Sequence, residues 1–321
     1  MIAIARARTR TGAGTGAGAG TRATRENRIH PAGNAILSIV FLLYSLACAL
    51  PVILIFMVSI TDEGAVVRNG YSLFPEAFSS LAYQYLFDDW RALLQAYGVT
   101  VFVAIAGTAF NIIVTALLAY PLSRSQFAYG KAIGVAVLIP MLFNGGMVPF
   151  YMTYVSVLNL KNSIMALILP GVLSGFNVFV MRTYFKANIP PPVLESAFID
   201  GASELRIFFR IVLPLSMPVM ATVAFFSFLN YWNDWFNCLL FITDEKLWNV
   251  QYIMMRAMRQ LQYFRSHLHL AGGYAIMEMS KLPDEGVRMA LAVVGMAPIL
   301  CVYPFFQKYF VKGLTIGAVK G

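Results

Sequence analysis

Residues 98–122 read GVTVFVAIAGTAFNIIVTALLAYPL, a run of 25 positions without one charged side chain. About 20 apolar residues in an α-helix cross the hydrocarbon layer of a bilayer, so this stretch decides that the chain is built in a membrane. The same test finds five further windows, at about 35–60, 132–157, 163–185, 217–242 and 289–311. These runs are too long and too continuously apolar for the alternating strands of a β-barrel. The expected fold is an all-α membrane protein of six transmembrane helices. Composition agrees, with 59% hydrophobic residues, 12% charged and a mean hydropathy of +0.69, where apolar residues make up only about half of a soluble chain.

Orientation follows from where Lys and Arg sit on the short connections. Arg6, Arg8, Arg10, Arg22, Arg25 and Arg28 precede the first window against one acid, Glu26. Residues 61–97 instead carry Asp62, Glu63, Glu76, Asp88 and Asp89 with only Arg68 and Arg91. Both termini are therefore expected in the cytoplasm, together with the connections 123–131 and 186–216. This inner-face bias accounts for the net charge of +9 and removes the need for a nucleic-acid partner. Residues 1–34, centred on TGAGTGAGAGTRAT, lack the apolar content to bury a core and read as a disordered basic cytoplasmic tail, with 35–321 as the transmembrane domain. The first apolar run exceeds a signal-peptide core of about 7–15 residues and reads as a retained helix. Cys48, Cys238 and Cys301 all fall inside spans and serve as small packing residues, not as a disulfide framework.

The connection 186–216 is the informative one. ESAFIDGASELRIFFRIVLPLSMP, residues 195–218, places Glu195, Asp200 and Glu204 between two oily runs. Val193, Leu194, Ala197, Phe198, Ala202, Leu205, Phe208, Phe209 and Val212 recur at three- and four-residue intervals, the pattern of a helix with one apolar face. Pro190, Pro191 and Pro192 fix its start, Pro214 its end, and Gly201 supplies a bend, so the expected shape is a helix–bend–helix knob. Its polar face mixes Glu195, Asp200 and Glu204 with Arg206 and Arg210. A helix lying on anionic headgroups would favour Lys and Arg alone, so balanced charge suits a protein partner better.

These residues carry a resemblance. Glu195-Ser196-Ala197, Asp200-Gly201-Ala202 and Ile211-Val212-Leu213-Pro214 are similar, at matching spacing, to the EAA motif of ABC-importer permeases, with Ser196 standing for the first Ala of the motif. Together with ALLAYPLSR (116–124), PGVLSGFNVFVMRTYF (170–185) and the ending PFFQKYFVKGLTIGAVKG, most of residues 98–321 resembles the carbohydrate-importing branch of that family, including maltose and oligosaccharide systems. The resemblance implies a multi-pass permease subunit of the bacterial cytoplasmic membrane. It also implies that Glu195, Ser196, Ala197, Asp200, Gly201, Ile211, Leu213 and Pro214 form a coupling helix between spans four and five. The implied partners are a second permease, two ATP-binding subunits and an extracytoplasmic solute-binding protein, with a sugar or oligosaccharide as cargo. The tail residues Gly313, Thr315, Gly317 and Lys320 would then touch the ATPase, although three glycines in nine residues also fit a flexible end. No G-x-x-x-x-G-K-[ST] loop occurs in the chain, so no cofactor is expected on it, and ATP and magnesium belong to the partner subunits.

Polar side chains inside a span face the bundle interior or water. In FLNYWNDWFNCLLF (228–241), Asn230, Asn233, Asp234 and Asn237 repeat at i, i+3, i+4 and i+7, which predicts one inward stripe beside Trp232 and Trp235. The stripe fits a sugar path or helix–helix hydrogen bonding. Asn111, Asn144, Ser174 and Asn177 are further candidates, and Gly145-Gly146 marks a kink or a close packing point. Residues 250–264, VQYIMMRAMRQLQYF, predict an amphipathic helix on the outer face, for which docking of a binding protein and a purely structural surface role fit equally. His267 and His269, two apart and without a carboxylate or Cys cluster, do not make a metal site. An ion-coupled secondary transporter is the alternative, but Asp234 is the one ionisable residue well inside a span and no internal repeat is present. A membrane hydrolase lacks its nucleophile–base pair, since His30, His267 and His269 lie outside the spans.

Overall fold

The computed structural model describes residues 31–267 and 284–318. Two compact units divide the chain, Met1–Pro51 and Val52–Gly321. The described residues are helical, with no strand among them and a single isolated bridge between Thr61 and Phe78. In order come α1 (Pro31–Ser59), α2 (Glu63–Asn69), α3 (Leu81–Phe87) and the 34-residue α4 (Trp90–Ser123). Then follow α5 (Gly130–Leu142), α6 (Met147–Met152) with a π-turn over Thr153–Val157, and α7 (Met165–Ile168) with a 3-10 turn over Leu169–Gly171. Beyond these lie α8 (Gly175–Asn188), α9 (Pro191–Ile199), and α10 (Glu204–Ile207), which passes through a π-turn at Phe208–Val212 into α11 (Leu213–Leu215). The last four are α12 (Met217–Trp232), α13 (Phe236–Phe241), α14 (Val250–His267) and α15 (Asp284–Ala318).

Three continuous helices are long and apolar enough to cross a bilayer, Ala32–Ser59, Trp90–Ser123 and Asp284–Gln307. The other expected spans are broken. Gly130–Leu142 meets Met147–Val157 at 117°, Met165–Gly171 meets Gly175–Asn188 at 49°, and Glu204–Leu215 meets Met217–Trp232 at 80°. Counting each bent pair as one crossing gives up to six. Windows 132–157, 163–185 and 217–242 are thus not single rods, and of the two readings of Gly145-Gly146 the kink is the one found. Gly146 interrupts the first at φ +87, a backbone angle that favours glycine. The second breaks over residues 172–174, just past Pro170-Gly171. The 80° bend falls at Ser216, ahead of the third window, which itself divides at Asn233–Trp235 past the end of α12.

Helix α4 is the post around which the second unit packs, with α8 and α12 against it. Ala96, Thr100, Val103, Ala104, Gly107, Asn111, Thr115 and Ala119 are buried, whereas Phe102, Ile105, Phe110 and Ile113 are exposed. In hydrocarbon, close helix contact rests on small residues, and larger apolar side chains turn to lipid or to another membrane chain. The closest approach is at Tyr231. A Cβ added at Gly107 would stand 2.4 Å from its ring, and one at Gly171 would stand 2.7 Å from it. The ring fills the gap between the two glycines and donates its hydroxyl to Ile168 O at 2.7 Å.

Helix α15 is fixed by three elements. Tyr97 of α4 donates to Val294 O at 2.7 Å, and Trp232 donates to Gly295 O at 3.2 Å. At its start, the Glu63 carboxylate accepts from the N–H groups of Glu285 and Gly286, each at 3.1 Å, serving the first-turn donors that a helix cannot satisfy itself. Tyr71 donates to Glu285 at 2.7 Å, and that bond to a carboxylate holds its hydroxyl above the ordinary tyrosine range. Replacing Gly107 by Val is expected to lower stability by about 1–3 kcal/mol through overpacking against Tyr231, read as the unfolding midpoint in detergent. Tyr231→Leu in the Gly107→Val background should restore part of the loss. Additive effects of the two changes would show that the ring does not limit this contact.

Candidate translocation site

A cavity of about 650 Å³ opens where the third bent segment ends. Asn230, Asn233, Asp234 and Asn237 all line it, together with Trp235 and the Pro170-Gly171 break. The four polar residues are brought together, but not as the single helical stripe that their spacing predicts. α12 ends at Trp232, Asn233 takes φ −90 and ψ 3, and a new helix begins at Phe236. Asp234 sits in the break and caps that helix. Its Oδ1 accepts from Asn237 N at 3.0 Å and its Oδ2 from Asn237 Nδ2 at 2.6 Å, while its own carbonyl accepts from Asn249 Nδ2. Asn233 Nδ2 donates back to Leu229 O at 2.8 Å. Asn230 is exposed to the cavity and makes no hydrogen bond with any described residue.

Such a rim offers amide oxygens and N–H groups to a passing hydroxyl-rich solute, with its one carboxylate already engaged. Trp232, expected beside the path, points away from it. It is 1% exposed, stacks on Phe228 at 5.8 Å and joins the core with Val103, Leu167 and Phe241. Trp235 lines the cavity in its place.

Asn177 is also not on the cavity. It is buried, with Nδ2 at 3.4 Å from both Asn111 Oδ1 and Ser227 Oγ. Ser227 donates to Asn111 Oδ1 at 2.6 Å, and Asn111 Nδ2 donates to Gly171 O at 2.9 Å and Val172 O at 3.0 Å. This cluster from α4, α8 and α12 holds the carbonyls that the Pro170-Gly171 break releases. Ser174 caps α8 through Asn177 N, and exposed Asn144 accepts from Gly146 N at 2.9 Å inside the first break. Spacing gave no notice of Asn162 and Asn249. Asn162 stands at φ +56 and its Oδ1 accepts from Thr243 N at 2.6 Å and Asp244 N at 3.2 Å. A left-handed Asn beside a helix end is a cap signal that the residues 159–162, NLKN, do carry.

The segment 191–215 forms the expected helix–bend–helix knob. Gly201 turns it at φ +76, and Ser203 caps α10 by accepting from Arg206 N at 3.4 Å. The apolar face splits. Leu194, Ala197, Ile207, Phe208 and Val212 pack with Tyr120, Met181 and Phe185, while Phe198, Ile199, Leu205 and Phe209 are exposed. Of the motif positions, Glu195, Ser196, Asp200, Gly201 and Pro214 are exposed, and Ala197, Ile211 and Leu213 support the packing. Pro214 does not end the helix: it lies within α11, which closes at Ser216. Tyr120 at the end of α4 donates to Glu204, its ring lies 5.3 Å from that of Phe208, and the Arg124 guanidinium stands 5.6 Å from the Phe198 ring. Gly313, Thr315 and Gly317 fall on the last turns of α15, and Lys320 lies outside the described residues, as does His269.

Residues 14–316 match the family model described as binding-protein-dependent transport system inner membrane component. The chain belongs to this family. The match extends well upstream of the stretch that carries the sequence motifs. The chain is 38% identical over 284 residues to the polygalacturonan/rhamnogalacturonan transport system permease protein of Bacillus subtilis, covering 87% of this chain and 95% of the relative. It is 26% identical over 300 residues to the arabinooligosaccharides transport system permease protein of Halalkalibacterium halodurans, covering 92% and 100%. A chain in the crystal structure of a bacterial ABC transporter involved in the import of the acidic polysaccharide alginate superposes with a TM-score of 0.71. It is 25% identical and covers 86% of this chain and 96% of its own length. The protein is therefore a permease subunit and a transport component, and the ATPase of such a system is a separate subunit. Membership implies, in general, a partner permease, an ATPase and a solute-binding protein.

If the cavity rim touches the cargo, Asn230→Ala should reduce uptake several-fold while the assembled complex is recovered in full, because Asn230 supports no other group. Asp234→Ala should lower both uptake and recovery, since it removes a helix cap worth about 1 kcal/mol. Uptake by proteoliposomes, normalised to complex recovered, separates the two. Full uptake by Asn230→Ala would leave the rim a purely structural feature.

Proposed function

We propose that this chain forms one half of the translocation path of an ATP-driven importer of sugars or oligosaccharides, and that its knob at 191–215 receives the stroke of a separate ATPase. The observation that carries the reading is the pairing of a polar cavity at a broken span with an exposed, balanced-charge knob in one family member. Six spans follow from the three continuous helices, the bent segments 130–157 and 165–188, and α12 with α13, which leaves 191–215 outside the membrane. The Arg-rich start and the Lys-bearing end lie in the cytoplasm. In this orientation the knob is cytoplasmic, between spans four and five.

The knob suits a coupling role mechanically. Ile199, Leu205 and Phe209 are exposed on the knob together with Glu195, Asp200 and Arg206, a mix of apolar and charged groups that suits a protein-docking surface. Its buried side is tied to α4 through Tyr120–Glu204 and to α8 through the Phe185 cluster, so displacement of the knob reaches two spans at once. A groove of about 1190 Å³ beside it, lined by Arg124, Lys186, Glu195 and Glu204 among apolar residues, adds to the receptive surface. ATP and magnesium would be held by two ATP-binding partners, and the cargo would be delivered by a solute-binding protein to this chain and a second, homologous permease. The C-terminal residues of the chain, Gly313, Thr315, Gly317 and Lys320, would touch the ATPase. Names of relatives support a saccharide cargo, since they cover polygalacturonan, rhamnogalacturonan and arabinooligosaccharides.

Gly201 is the point at which to test coupling. A Cβ there meets nothing within 4 Å, but its φ of +76 costs a non-glycine residue about 1–2 kcal/mol. Gly201→Val should therefore leave the complex assembled with ATPase activity but reduce saccharide uptake per ATP hydrolysed by an order of magnitude. Parallel measurement of hydrolysis and uptake in proteoliposomes checks this, and an unchanged ratio would remove the coupling role from the knob.

A further inference from the structure

The recess beside α14 has no part in the path or the knob. It has a volume of about 410 Å³ and is walled by Tyr252, Arg256, Arg259, Gln260 and Tyr263 of α14 and by Leu239 of α13, within the range of about 300–1,000 Å³ typical of small-ligand sites. The α14 residues fall at i, i+4, i+7, i+8 and i+11, one face of the helix. Val250, Met254 and Leu261 bury the opposite face against Val287 and Leu291 of α15. The arginine face is thus held outward by the core behind it.

Its chemistry is specific. The Arg256 guanidinium stands 4.4 Å from the Trp248 ring centroid and 3.7 Å from Glu245 Oε1, contacts that hold it in place and partly offset its charge. Arg259 and Gln260 make no hydrogen bond or ion pair with any described residue. Guanidinium groups present paired N–H donors that match a carboxylate, Gln adds an amide, and two tyrosine rings supply flat apolar walls with a polar tip. The place also counts. Phe236 and Asn237 of α13 line the path cavity, and Leu239, within one turn of the same helix, lines the recess.

We infer that this recess is an accessory binding site for carboxylated sugar units, which gathers an anionic oligosaccharide beside the mouth of the path. The inference rests on the importer reading and adds to it a cargo class, uronate-containing saccharides. Two positive groups at the mouth would raise the local concentration of such a chain and make its capture sensitive to salt.

The test uses the assembled importer in nanodiscs of zwitterionic lipid, without its solute-binding protein. Trigalacturonate and neutral maltotriose are titrated by ligand-detected NMR. Trigalacturonate is expected to bind at least tenfold more tightly than maltotriose, the preference to weaken with added salt, and R256Q/R259Q to abolish it. R259K, which keeps the charge but not the paired donors, should retain an intermediate preference. Equal binding of the two probes, or an unaltered preference in R256Q/R259Q, overturns the site. So does a double variant that binds trigalacturonate normally but no longer docks the solute-binding protein, which would make the face a protein contact. ATP-driven uptake of saccharide is measured on the same complexes reconstituted in proteoliposomes together with the solute-binding protein. Its absence for every saccharide tried would sink the importer reading, whereas normal uptake beside a failed binding preference would sink only the recess.

Discussion

A backbone carbonyl or N–H without a partner in hydrocarbon costs several kcal/mol, so a chain can interrupt its spans only where something else serves the freed groups. Three of the apolar windows are interrupted within their length, at Gly146, after Gly171 and at Asn233–Trp235. At each of these breaks an Asn or Asp does that service; the 80° bend at Ser216 has no such side chain among the described residues. Asn144 takes Gly146 N–H, Asn111 takes the Gly171 and Val172 carbonyls, and Asp234 and Asn249 close the gap between α12 and α13. Asn162 binds the turn that leaves α13. The breaks are therefore built features, and the cavity exists because they do: its rim is the Asn233–Trp235 break facing the Pro170-Gly171 break.

Around these stitches the packing is tight and uses little polar material. The buried stripe of α4 is mostly small residues, and Tyr231 is slotted between two glycines from different elements. Rigid seating of this kind lets a broken helix keep its shape. The chain from Glu204 through Tyr120 into α4, and from Phe208 through Phe185 into α8, is a continuous set of contacts between the exposed knob and the bundle. The same α4 carries Asn111, which holds the second break.

Much of this was legible in the sequence, and the rest was hidden for a definite physical reason. Apolar run length located the three continuous spans and marked the regions of the broken ones, and the proline, glycine and charge pattern of 190–214 predicted the knob with its bend at Gly201. Periodicity found Asn230, Asn233, Asp234 and Asn237 as a group. It assumed an unbroken helix, however, and the same spacing reads alike whether or not the helix continues through it. Trp232 falls on the core side because the chain turns immediately after it, and Asn177 serves Asn111 and not the cavity because the break at Pro170-Gly171 needs its carbonyls held. That dipeptide is itself a turn signal, present in the sequence but outweighed by the apolar run around it.

The central claim is that Asn and Asp side chains make the breaks possible and so make the cavity. Asn111 tests it most directly, since it lies away from the cavity and bonds the broken backbone itself. Equilibrium unfolding of purified Asn111→Leu against wild type, in one detergent, should show a loss of about 1–3 kcal/mol from the unsatisfied carbonyls, although Leu is the better residue for lipid or core. An Asn111→Leu protein as stable as wild type, or more so, would contradict the account.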